Sequence, residues 1–100
     1  MKEFEELVSE AIESIPEDFE PYLENLVFLV EESSPEGLMG YYEGSGALHA
    51  GESFPDRITL YKRSHEDATR SMKELVEEVR RTILHEVGHH FGMDEDDLPY

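Results

Sequence analysis

Cysteine is absent from the 100-residue sequence, which excludes disulfides, thiolate metal ligands and cysteine nucleophiles. Any metal must therefore be held by histidine and carboxylate. Basic residues are scarce: 8 Lys and Arg stand against 25 Asp and Glu, for a formal charge of -17. Such a field opposes phosphate backbones and anionic membranes and favours cations, so neither nucleic acid nor a membrane is expected as a partner. Long apolar runs are also missing. The longest, Leu26 to Val30, falls far short of the ~20 residues of a membrane-spanning helix. The start, Met1-Lys2-Glu3-Phe4-Glu5-Glu6, lacks the basic and then apolar pattern of a secretory signal, and a cytoplasmic protein is expected.

What remains is 38% hydrophobic residues with ten aromatics, enough for one packed interior, and the chain is read as a single domain over residues 1–100. Phe4, Leu7, Val8, Ala11, Ile12 and Ile15 follow a 3.6-residue rhythm closed by Pro16, which predicts an amphipathic helix. A second helical turn is expected within 17–25, followed by a strand over 26–32 whose unbroken apolar run reads as buried on both faces. Ser33 to Gly37 is turn chemistry, then a short strand is expected near 38–42 and a glycine-containing loop up to Phe54. Arg57-Ile58-Thr59-Leu60-Tyr61-Lys62 alternates and carries flanking charges, which suits an edge strand able to receive an extended peptide. From Glu66 to Phe91 there is no proline and only one glycine, and Met72, Leu75, Val76, Val79, Ile83 and Val87 recur at helical spacing. One long helix is predicted there, stopped near Gly92, with an acidic tail beyond it.

Within that helix stands His85-Glu86-Val87-Gly88-His89, the pattern H-E-x-x-H. Its spacing sets two imidazoles one turn apart, where both can reach one ion. At about 100° per residue, His85 and His89 fall at one margin of the apolar arc, while Glu86 falls inside it. A carboxylate among core positions is costly unless a cation or an acidified water faces it; Arg80 or Arg81 is the alternative partner. Reading on, Gly92 extends the pattern to H-E-x-x-H-x-x-G, where the chain can turn back, and Glu95 follows among Asp94, Asp96 and Asp97. Tyr41, Tyr42 and His49 are weak candidates for an assisting electrophile. Partial core packing is favoured for the tyrosines and a solvated loop for His49. His90 reads as a packed histidine and His65 as a residue at a helix start.

The stretch from His85 to Glu95 resembles the extended zinc motif of zincin metallopeptidases, and the layout resembles the small bacterial zincin-like family with H-E-x-x-H-x-x-G-x-x-D. That resemblance implies an α+β fold, a minimal zincin-like domain with a small mixed sheet packed on a long motif-bearing helix. It implies zinc as cofactor, His85 and His89 as ligands and Glu86 as catalytic acid/base. The third-ligand position falls on Glu95 in place of the family's aspartate, and Asp94 or Asp96 are alternatives. No methionine turn is expected after the motif, and Met93 is not assigned that role.

Two function classes follow. The first is a zinc peptidase acting on peptides or unfolded proteins, favoured because a purely structural zinc site needs no general base. The second is a metal-stabilised, non-catalytic binding or regulatory module, in which zinc would lock the helix end to the acidic tail.

Overall fold

The computed structural model describes residues 3–17, 23, 26–44 and 55–92, which form an α+β arrangement of three helices and a three-stranded mixed sheet. The first helix, α1, spans Phe4–Glu13 and buries Phe4, Leu7, Val8 and Ala11, the face set by the sequence rhythm. It ends where the Ser14 hydroxyl donates to the Ala11 carbonyl at 2.6 Å, two residues before Pro16. The helical turn expected within 17–25 lies largely outside the described residues.

Three strands follow: β1 over Leu26–Glu31, β2 over Gly40–Glu43 and β3 over Asp56–Tyr61. Their order is β1-β3-β2. The β1 pairing with β3 is parallel, with Phe28 opposite Ile58, and the β2 pairing is antiparallel, with Tyr42 opposite Ile58. Two expectations are thereby corrected. The 57–62 segment is not an edge: it lies mostly in β3, the central strand, and on its second face Thr59, between Leu29 and Tyr41, is buried as well. Ile58 and Leu60 are fully buried while Arg57 is exposed. Nor is β1 buried on both faces, since Val27 and Leu29 are 39% and 38% exposed on that second face.

The long helix is also interrupted. Helix α2 covers Lys62–Ala68 and α3 covers Met72–His90. The break needs neither proline nor glycine, because Ser71 caps the new helix. Its hydroxyl accepts from the Glu74 amide at 3.2 Å, and the Glu74 carboxylate reaches back to the Arg70 amide at 3.1 Å, a variant of the reciprocal capping box. Phe4, Val8, Ile58, Leu60, Val79, Ile83 and Val87 share one core. Each buried aliphatic side chain contributes about 1.5–3 kcal/mol, so α1, β3 and the motif helix are held together by apolar burial. Among the described residues, no helix is long and apolar enough to cross a membrane.

Candidate metal centre

Both motif histidines stand on α3, half-buried. Their rings meet edge to face, with centroids 4.9 Å apart and planes at 81°. They occupy the last two turns of the helix, where unsatisfied carbonyls and the macrodipole favour a cation. The helix then stops as its sequence predicts: Gly92 takes φ +85°, and its amide donates to the His89 carbonyl at 2.9 Å. Glu86 is only 8% exposed, in keeping with its place inside the apolar arc.

Beside Glu86 runs a groove of about 410 Å³, with Leu38, Met39 and Gly40 on the β2 side and Arg81, Thr82, His85 and Glu86 on the α3 side. Gly40 makes this close approach possible. A Cβ at that position would lie 2.7 Å from Thr82 Cγ2 and 3.3 Å from Glu86 Cγ, so strand and helix could not sit this near each other with any larger residue.

A second polar cluster ties the end of α3 to the sheet. Asp56, at the start of β3 and 3% exposed, receives the Tyr42 hydroxyl at 2.5 Å and the His90 Nδ1 proton at 2.8 Å; Tyr42 Oη is 3.2 Å from the same Nδ1. His90 is fully buried, as its position in the arc predicts. Tyr42 packs inward and belongs to this cluster, whereas Tyr41 is 48% exposed on the opposite face of the sheet, which corrects the packing expected for it. Gly44 leaves room for Asp56, since a Cβ there would fall 2.1 Å from the Asp56 carboxyl carbon. Sequence reasoning missed Asp56 because Pro55-Asp56 reads as turn chemistry. Its one available signal is an acidic residue directly before an apolar strand.

His65 departs further from expectation. It lies inside α2 and is fully buried, with Nδ1 2.8 Å from the Tyr61 carbonyl oxygen and Nε2 2.7 Å from the Thr82 hydroxyl. Burial pushes its pKa below the usual histidine value, against smaller opposing effects of the Tyr61 carbonyl and the Glu78 charge.

Two imidazoles with a carboxylate between them in sequence suit zinc, a borderline ion that takes nitrogen and oxygen donors. Glu95, with Asp94, Asp96 and His49, lies outside the described residues. Among the described residues, no three His, Asp or Glu side chains gather as a metal site; His85 and His89 lie side by side, with ring centroids 4.9 Å apart.

Fold and motif helix together define a minimal zincin-type domain. The family model for zincin-like metallopeptidases matches residues 10–100, and the chain belongs to that family. It is similar to a solved structure described as a conserved hypothetical protein from T. thermophilus. That chain is 33% identical, with a TM-score of 0.65, over 89% of this chain and 91% of the other. No curated protein matches.

Proposed function

We propose that this chain is a zinc-dependent peptidase in which His85 and His89 hold the ion, Glu95 completes the ligand set, and Glu86 is the general base. The observation that carries the reading is Glu86 itself. It is a carboxylate only 8% exposed, lining a groove next to His85, where a base would face a water held by the ion. When bound, zinc would supply Lewis acidity toward a water and a peptide carbonyl. Glu86 would take the proton of the attacking water and pass it to the leaving amine.

Substrate binding is assigned to β2. Among the described strands β2 is an outer one, and its Gly40 end forms one wall of the groove. An extended peptide added along that edge would run past His85 and Glu86, with Leu38 and Met39 offering apolar contact. The 57–62 segment cannot serve, because β3 has a partner on each side.

The test is hydrolysis of a diverse pool of short peptides by zinc-loaded protein, beside Glu86→Gln. The reading expects cleavage by the native chain, a loss of at least roughly a hundredfold in the variant, and equal zinc content in both. Equal cleavage by the variant would overturn the role of Glu86. Zinc binding without any cleavage would leave the metal-stabilised binding module as the better account.

A further inference from the structure

His65 is a buried titratable group for which the proposed chemistry has no use. Its ring sits 5.5 Å from that of Phe4, with no exposure to solvent. The Tyr61 carbonyl oxygen can only accept, so Nδ1 carries the proton, and in the neutral ring Nε2 is left as an acceptor. The Thr82 hydroxyl, 2.7 Å away, donates to it. That same hydroxyl also donates to the Glu78 carbonyl at 2.9 Å, so its one proton is shared between two acceptors, and the two contacts together place the oxygen on the α2 side.

The orientation matters because a helical threonine otherwise divides between two χ1 rotamers. With the hydroxyl held toward α2, the Thr82 methyl faces β2, where a Cβ on Gly40 would meet it at 2.7 Å. Glu86 lies one helical turn further on, and its Cγ would meet the same Cβ at 3.3 Å. The Thr82 methyl and the Glu86 stem thus share the space over Gly40.

We infer that His65 is a positioning residue: through the hydroxyl of Thr82 it fixes the methyl group that, with Gly40, sets where the Glu86 side chain lies in the groove. The catalytic part of this inference rests on Glu86 being the base; the structural part does not.

The test begins with NMR on the full-length, metal-free protein near neutral pH. Long-range nitrogen spectra should show His65 protonated at Nδ1 and bare at Nε2, and three-bond couplings should show a single Thr82 rotamer. In His65→Leu the couplings should move toward rotamer averaging and the Glu86 carboxyl carbon signal should shift. In His65→Gln, whose amide oxygen can accept the Thr82 proton, both should return toward native values. With zinc bound, His65→Leu should lower kcat by roughly tenfold to a hundredfold with KM little changed, the scale expected of a misplaced catalytic group, and His65→Gln should recover most of it. Thr82→Ser, which keeps the hydroxyl and loses the methyl, should retain the tautomer and lose kcat.

A native His65 protonated at Nε2 would overturn the inference, as would a Thr82 rotamer and Glu86 signal unchanged in His65→Leu. If His65→Leu does not fold, the native tautomer and Thr82→Ser decide. If the native protein cleaves nothing, the peptidase reading falls, while the spectra still decide the positioning claim.

Discussion

Replacing Asp56 by alanine should be among the most damaging single changes in this chain, although Asp56 lies outside the H-E-x-x-H motif. Its carboxylate accepts from Tyr42 at 2.5 Å and from His90 at 2.8 Å, with 3% of the residue exposed. Hydrogen bonds to a charged group contribute about 1.5–3 kcal/mol each, and removing the acceptor takes one away from both Tyr42 and the fully buried His90. With two such bonds lost, the expected cost of Asp56→Ala is about 3–6 kcal/mol. Asp56→Asn, which keeps the shape and one acceptor oxygen, should lose about 1–3 kcal/mol, and Tyr42→Phe, which deletes a single donor, about 1 kcal/mol. Urea titrations of the metal-free protein, followed by far-ultraviolet circular dichroism, would rank the three. At about 4–8 °C per kcal/mol for a domain of this size, Asp56→Ala should melt at least roughly 12 °C below the native chain. An Asp56→Ala protein within about 1 kcal/mol of native, or less affected than Tyr42→Phe, would refute the view that this cluster fastens α3 to the sheet.

Two further predictions follow from the same packing. Gly40→Ala places a methyl 2.7 Å from Thr82 Cγ2 and should cost about 1–3 kcal/mol by overpacking, with peptide hydrolysis falling further than stability alone explains; unchanged stability and kcat would contradict the close approach. Burial lowers the His65 pKa from 6.5, so between 6.5 and the lower folded value the unfolded chain binds more protons, and stability falls as pH drops through that window and is full above it. The difference in unfolding free energy between native and His65→Leu should therefore shrink on acidification below about pH 6.5, and a pH-independent difference would count against a neutral buried His65.

The motif could be read from the chain because helical spacing is a local property. His85, Glu86 and His89 are fixed relative to each other by 3.6-residue geometry alone, and Gly92 carries the stop signal in its identity. The burial of Glu86 and of His90 followed from the same periodicity. Strand order did not, because alternation reports which faces are wet and not which neighbours a strand has. Arg57 to Tyr61 alternates as an edge strand would, yet it is central, and Thr59 on its second face is buried. In β1 the unbroken apolar run hid the exposure of Val27 and Leu29. The break before Ser71 was legible in principle, as the spacing of Ser71 and Glu74 is a capping signal, but the helical rhythm running past it masked the signal. Asp56 and His65 were beyond local reasoning, since their partners His90 and Thr82 lie 34 and 17 residues away. Gly40 has a similar explanation: only the packed structure shows that α3 presses against it.

Whether His85 and His89 hold zinc is decided by elemental analysis of zinc per chain. The protein should carry no affinity tag of histidines and should be dialysed against micromolar free zinc, with His89→Ala and Glu95→Ala treated in parallel. The expected result is about one equivalent in the native chain, lost in His89→Ala and weakened in Glu95→Ala. A native chain that binds no zinc under these conditions would contradict the assignment of this pair and reduce the motif to a feature of helix packing.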